Sequence, residues 1–445
     1  MSPHAVVIGP NGGKPTVDLA EFAVSRNAFL PEHQPCQRLA DSYYEPWERI
    51  VEQLPTHIRT GAIHNLIQSL PILSTDHLRS EAEWRRAYVM LAFMTHAHVW
   101  GGSDPNEILP PQITLPFLSV SEHVELPPVL TYAAANLWNF SCAGDDFSEI
   151  DDLSLLFSFT GTQSESWFLL LSVAMEAKAA GILQTMMDAF SAVKTRDYPV
   201  ITKALEDLRR CIQGVGGLLE RMYEKCEPMV FFHEIRPFLA GSKNMEAAGL
   251  PRGVFYDEGD GKGEWRQLRG GSNGQSSLIQ FFDVVLGVEH NDHGSAGQAS
   301  YHTEVREYMP GPHRRFLVHT ARMGSIRELA LAPPSTDEQL RMREAFVAAT
   351  QALSSFRDKH IQIVARYIIL PSKQTRPMQP RVAQGATNGP TAVTTPKRRQ
   401  NLASSSSADM ADDELTGTGG TKLVPFLKQA RDETCQAGDL SSRTL

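Results

Sequence analysis

Hydrophobic positions recur along most of this chain at intervals of three and four residues, the spacing that lines apolar side chains along one face of an α-helix. The most regular case is 338–370, where Phe346, Ala349, Leu353, Phe356, Val364 and Tyr367 form a single stripe. His360 falls inside that stripe, between Phe356 and Val364. The same spacing predicts helices over 76–100, 121–140, 164–190, 199–226, 228–240, 275–288 and 297–309, with a shorter helical stretch at 41–53. Long polar–apolar alternations of the strand type are scarce, so the expected fold class is all-α. Glycines cluster over 258–277 and break the pattern. From 371 to 415 Pro, Thr, Ser and Gln dominate and large apolar residues are few, a composition expected to be mobile or disordered. Order is expected to return at 416–431, a Gly-rich turn entering a short amphipathic helix. These boundaries divide the chain into a smaller, mainly helical N-terminal domain (1–120), a large helical domain (121–370), a flexible loop (371–415) and a closing loop with a short helix and tail (416–445).

Bulk properties narrow the function classes. A chain of 445 residues buries a large core. Its net charge of −9 gives no support to a nucleic-acid partner. No uninterrupted apolar run looks long enough to span a bilayer, and the first residues lack the charged start and apolar core of a secretory signal. Cys36, Cys142, Cys211, Cys226 and Cys435 are scattered and odd in number. That fits a reducing cytoplasm and argues against a disulfide scaffold or a structural zinc site. The expectation is a cytoplasmic monomer with no membrane and no nucleic-acid partner.

Candidate chemistry lies in a few residues that sit oddly in their surroundings. On pattern alone, His360 is more often a quietly hydrogen-bonded core histidine than a metal ligand in a cavity. Arg236 stands among Phe231, Phe232, Ile235, Phe238 and Leu239. If buried it needs a partner, and a substrate carboxylate would serve; otherwise it snorkels outward. Asp283 and Arg357 are embedded in apolar helices, with Arg357 one turn before His360. They could form a pair behind the histidine or be solvated separately. The run 269–287 is a Gly/Ser loop entering an apolar helix, a place where an anion could sit, but it is neither a P-loop nor a dinucleotide fingerprint. His290, Asp292, His293 and His313 resemble part of an iron triad but lie in the wrong setting, and His96 and His98 diverge on a helix. No hydrolase nucleophile motif is present.

Seven stretches together resemble one family, the indoleamine 2,3-dioxygenases. They are LPPVLTYAAANLWNF (126–140), LFSFTGTQSESWFLLLSVAMEA (156–177), FFHEIRPFLAG (231–241), GGSNGQSSLIQFFDVVLG (270–287), MPGPHRRFL (309–317), RDKHIQIVARYIILP (357–371) and GTGGTKLVPFLK (417–428). The resemblance implies an all-helical fold in which the large domain holds haem b and the small one covers its distal side. It implies oxidation of L-tryptophan by O2 to N-formylkynurenine, the entry step of the kynurenine route toward NAD, with an electron donor to reduce ferric haem.

Residue by residue, the resemblance makes His360 the proximal ligand of the haem iron, supported by Asp283 and Arg357. Arg236 would hold the substrate carboxylate, with Phe231 and Phe168 as aromatic walls for the indole and Leu239, Tyr132 and Ser172 beside them. Gly271, Ser272 and Asn273 would lie over the distal face of the haem, and Thr418 would belong to the loop that closes over substrate. No acid–base residue is implied; Ser172 and Ser272 would only position. Ala135, Asn136, Leu169 and Asn273 depart from the family's usual residues, in ways that bear on tryptophan affinity and turnover.

Overall fold

A computed structural model describes residues 17–290, 301–374, 400–406, 411 and 414–439. The fold is all-α, with a few short strands among the described residues. Its centre is the helix Glu81–Trp100, opened by a capping box in which Ser80 and Glu83 satisfy each other's backbone N–H groups. From Arg86 to Trp100 every residue is buried, so beyond its first turn this helix is packed all round. The longest helix, Asp337–Val364, packs along Tyr198–Glu220 and against the C-terminal helix Leu423–Gly438.

Several expected helices are shorter or broken, each for an identifiable reason. The expected 121–140 helix is instead Pro111–His123, followed by an extended passage and the turn Ala133–Leu137. Pro127 and Pro128 stop any continuation, and Glu125 already adopts a left-handed φ of 54°. The expected 164–190 helix is two, Gln163–Ala177 and Ile182–Thr195, separated at Gly181, whose φ is 76°. Gln163–Thr195 is long and apolar enough by composition to cross a membrane, but its helices are mostly buried in the core. The glycine cluster hides a hairpin: Val254–Gly259 pairs antiparallel with Lys262–Arg266, and Ile108–Leu109 joins the first of these in parallel. Inside the Pro-rich start lie Glu45–Glu52, Leu54–Thr60 and Ile63–Gln68. Within 371–415 the described part includes a short helix, Leu402–Ser405; the rest of that expectation, like the start of the 297–309 helix, lies largely outside the described residues.

Three helical turns are wider than α, closing with i→i+5 bonds: Ala133–Leu137, Phe231–Ile235 and Ala365–Ile369. Turns of this kind are rare and gather at functional sites. All three contribute to, or lead directly into, the wall of one cavity.

Candidate active site

The cavity encloses about 1890 Å³ of non-atom space, part of it continuous with solvent. Every site residue expected from the sequence lines it: Tyr132, Phe168, Ser172, Phe231, Arg236, Leu239, Gly271, Ser272, Asn273, Asp283, Arg357, His360 and Thr418. They come from elements far apart in sequence, so the sequence separations give no hint of the convergence.

His360 projects from the last turns of the Asp337–Val364 helix into this space. Among the described residues no side chain or backbone group hydrogen-bonds its ring. Burial, aided by the Arg357 cation, pushes its pKa down to about 4. The imidazole is therefore neutral at pH 7 and able to offer a nitrogen lone pair to a metal.

Arg357 and Asp283 do form a buried pair, with Nη2 donating to both carboxylate oxygens at 2.7 and 2.8 Å. The guanidinium also donates to the Ala430 carbonyl at 2.9 Å and to the Thr434 hydroxyl, tying the C-terminal helix to this wall. Burial opposes ionisation of Asp283, but Arg357 and His290 outweigh it and keep its pKa low. His290, expected to be solvated, instead bridges two carboxylates, Asp283 at 3.2 Å and Glu433 at 2.6 Å. His313 is buried elsewhere, against the Ser277 hydroxyl at 3.1 Å, so these histidines do not meet; Asp292 and His293 lie outside the described residues.

Arg236 is fully buried and points no charge outward. One guanidinium nitrogen donates to the Thr416 carbonyl, while among the described residues Nε and Nη1 have no hydrogen-bond partner. Burial alone pulls its pKa down to about 9, which still leaves it cationic at neutral pH. A buried cation with two unpaired N–H groups is unfavourable unless an anion completes it. Phe231 stands five residues earlier on the same wide turn, and its ring meets Phe168 edge-on at 4.8 Å. The segment is fixed from behind: His96 Nδ1 donates to the Phe238 carbonyl at 2.7 Å and the Trp100 indole donates to the Ala240 carbonyl at 2.8 Å. His96 accepts from the Leu130 N–H through its other nitrogen, so it is a neutral crosslink rather than a ligand.

The GGSNGQSS loop is built to come close. A side chain on Gly270 would meet the Leu239 carbonyl oxygen at 2.1 Å, and one on Gly241 would meet the Leu268 carbonyl oxygen at 2.2 Å. Only two glycines let these backbones touch. Gln275 then crosslinks, accepting from the Tyr132 N–H at 2.9 Å and donating to the Gly270 carbonyl at 2.8 Å. Ser276 caps the Ser277–Leu286 helix. Over the loop, Thr418 donates to the Gly271 carbonyl at 2.8 Å, Asn244 donates to the Gly420 carbonyl at 2.8 Å, and Arg269 reaches the Gly419 carbonyl. The C-terminal loop is thus closed against the cavity.

Among the lining residues that the sequence reading did not single out are an acid and an imidazole in close contact with others. Glu176 is a buried acid hydrogen-bonded to Tyr132 and Ser276. It recurs one turn after Ser172, so the test applied to His360 would have found it. His302 stacks on His290 with ring centroids 3.6 Å apart and had no signal of its own. Of the departures, Asn136 donates to the Leu169 carbonyl at 2.9 Å, which ties two of them together.

A neutral unpaired imidazole on one wall, apolar flanks and a cation with free N–H groups fit the haem and amino acid that the resemblance implies. Independent comparisons agree. The indoleamine 2,3-dioxygenase family profile matches residues 18–437. An indoleamine 2,3-dioxygenase of Aspergillus nanangensis is 39% identical, covering 95% of this chain and 97% of that protein. A 6-hydroxytryptophan 2,3-dioxygenase of Fusarium equiseti is 36% identical over 92% and 95%. The indoleamine 2,3-dioxygenase of Saccharomyces cerevisiae is 35% identical over 96% and 95%. With a profile match running through every wall of the cavity, the chain belongs to the indoleamine 2,3-dioxygenase family of haem-dependent oxidoreductases.

Proposed function

We propose that this enzyme cleaves the indole C2–C3 bond of L-tryptophan, adding both atoms of one O2 to give N-formylkynurenine. The observation that carries this reading is that two groups in one cavity, the His360 imidazole and the Arg236 guanidinium, keep nitrogens with no hydrogen-bond partner among the described residues. Haem b supplies the activation of dioxygen. His360 would hold the iron through its neutral ring, and the Asp283–Arg357 pair would keep a fixed charge arrangement on that wall. Ser272 and Asn273 would lie against the haem on the loop side. Arg236 would take the substrate carboxylate on Nε and Nη1, a forked contact that fixes orientation as well as affinity. Phe168, Phe231 and Leu239 would sandwich the bicycle, and Tyr132 and Ser172 would stand at its edge. The closed loop carrying Thr418 would exclude water, and with Gly271 it would complete the enclosure. No proton needs to leave substrate permanently, because tryptophan plus O2 already balances the product.

The same reading carries a place at the entry of the kynurenine route toward NAD, an electron donor for ferric haem, and a monomer in the cytoplasm. The five unpaired cysteines support a reducing compartment. A second reading, a dioxygenase for another indole, is favoured by the polar residue Asn136 in the wall and by a relative named for 6-hydroxytryptophan. The test is to load the purified protein with haem, reduce it, and follow the Soret band and N-formylkynurenine as L-tryptophan and air are added. A tryptophan-dependent band shift with product supports the reading; a normal band with no product sinks it.

A further inference from the structure

The loop that closes over the cavity is a small folded unit of its own. The Gly417 N–H donates to the Thr421 carbonyl at 2.8 Å, the Leu423 N–H donates to the Leu415 carbonyl at 2.9 Å, and Thr416 pairs with Lys422 across the turn. Gly420 turns the chain with a φ of 75°. A unit closed by its own hydrogen bonds moves as one body, so its position depends on a few contacts with the rest of the chain. Arg236, Arg269 and Asn244 each reach one of its backbone carbonyls. Tyr301 meets it differently, through its side chains and a glycine.

Tyr301 opens the short helix Tyr301–Arg306 and lines the cavity. Its hydroxyl stands between the two loops that face each other there. A side chain built on Gly419 would meet that oxygen at 3.0 Å, and one built on Gly274 would meet it at 3.4 Å. The Ser272 hydroxyl on one side and the Thr421 hydroxyl on the other lie against it as well. Burial pushes the phenol pKa up, and these two hydroxyls work against the rise. The ring is held too. Phe426, in the first turn of the C-terminal helix, meets it edge-on with centroids 4.5 Å apart, and the Arg269 guanidinium lies over it at 4.9 Å. Arg269 also donates to Glu304 at 2.5 Å, which fixes it to the helix that Tyr301 begins. All these partners belong to the chain itself.

We propose that Tyr301 is a positioning residue for the reaction, a latch that holds the 416–421 loop shut by bridging Ser272 to Thr421 and packing on Phe426. The closed form is then the resting form of the protein, and opening is the minor event that admits substrate. The latch contributes to tryptophan affinity without contacting tryptophan, because only the closed fraction binds tightly. That contribution rests on the reading of the cavity as a tryptophan site, whereas the latch itself does not.

The test pairs hydrogen exchange with tryptophan kinetics, both on the haem-loaded protein. The Gly241 N–H donates to the Thr418 carbonyl at 3.3 Å, so its exchange in the absence of tryptophan reports opening of the loop. Tyr301→Phe keeps the ring and loses the hydroxyl. It is expected to speed exchange at Gly241 and over 416–423 about tenfold, the scale of one hydrogen bond. Thr421→Val is expected to act in the same direction, and the double variant to exchange no faster than Tyr301→Phe alone, since both break one bridge. Tyr301→Ala removes the packing as well. It is expected to raise KM for tryptophan about tenfold with kcat held within about twofold, because saturating tryptophan draws the loop shut again. A general loss of structure would lower kcat and the melting temperature instead. Wild-type exchange in both Tyr301 variants, additive effects of Tyr301→Phe and Thr421→Val, or an unchanged KM in Tyr301→Ala overturns the proposal. If the wild type does not respond to tryptophan at all, the proposed function falls, and the exchange rates still decide the latch.

Discussion

Two buried arginines show how differently one residue type can be used. Arg86, on the central helix, donates to Glu48 through Nε at 2.8 Å and Nη2 at 2.5 Å, and through Nη1 to the Cys36 carbonyl at 2.8 Å. Arg236, in the cavity, has one hydrogen-bond partner and two idle nitrogens among the described residues. The histidines divide the same way. His96 uses both ring nitrogens, at 2.7 and 3.0 Å, while His360 uses neither among the described residues. Arg86 and His96 on the central helix are paired within the protein and serve the fold. Arg236 and His360 in the cavity are left incomplete and serve something that binds. Satisfaction of hydrogen bonds, rather than burial or residue type, separates these two pairs.

The comparison can be broken most severely at His360. His360→Ala is expected to lose haem entirely while the chain stays folded, read as loss of the Soret band with unchanged far-UV circular dichroism; a full band in the variant would refute the ligand assignment. Next in size is Arg86→Ala, which strands Glu48 in the core. It is expected to cost about 3–5 kcal/mol of stability. Turnover per folded, haem-loaded molecule should not change, and a specific loss of tryptophan affinity would contradict the division drawn above. Arg236→Ala is the mirror image. Haem uptake and melting temperature should hold, while tryptophan affinity should fall roughly a hundredfold, as expected when charge-assisted hydrogen bonds are removed. Arg236→Lys should restore little of it, because an ammonium lacks the fork. Equal saturation kinetics in the alanine variant would remove the clamp.

The smallest effect is a slope. The native state holds the Glu176 proton up to a pKa of about 7, well above the ordinary 4.5. Between those values the native chain binds more proton than the unfolded one, so this residue's contribution to stability falls as pH rises through that window and is level above it. Glu176→Gln removes the titration. Denaturant melts of wild type and variant should therefore differ more favourably for the variant at pH 8 than at pH 5; parallel curves would mean that Glu176 is not held protonated.

Much of this was legible in the chain because helix periodicity reports burial directly. His360 stood out as polar in an apolar stripe, and Arg236 as charged among phenylalanines. What no stripe reports is whether a buried polar group finds a partner, since Glu48 lies far from Arg86 in sequence and Thr416 far from Arg236. The pattern alone accordingly leaned toward a quiet core histidine at 360, and only the resemblance pointed to a ligand. Boundaries failed where local chemistry overrode periodicity, at Pro127–Pro128 and at Gly181. The hairpin at Val254–Arg266 was hidden because its glycines were read as a loop, although they accommodate its turn and a positive φ at Gly259 and Gly261.

The wide turn at Phe231–Ile235 gives this enzyme an unusual point of fragility. On an ordinary helix, residues five apart sit about 140° apart around the axis, so Phe231 and Arg236 would look in different directions. The i→i+5 closure brings them onto one wall. Lengthening the chain by a single residue there would place them six apart, about 240° around an ordinary helix, and swing the cation away from the aromatic wall. Deleting one would leave them four apart, about 40° from one another and still on one face. In the lineage of such a protein, a single-residue insertion at this turn would therefore part the two groups in one step, whereas a deletion would keep them together.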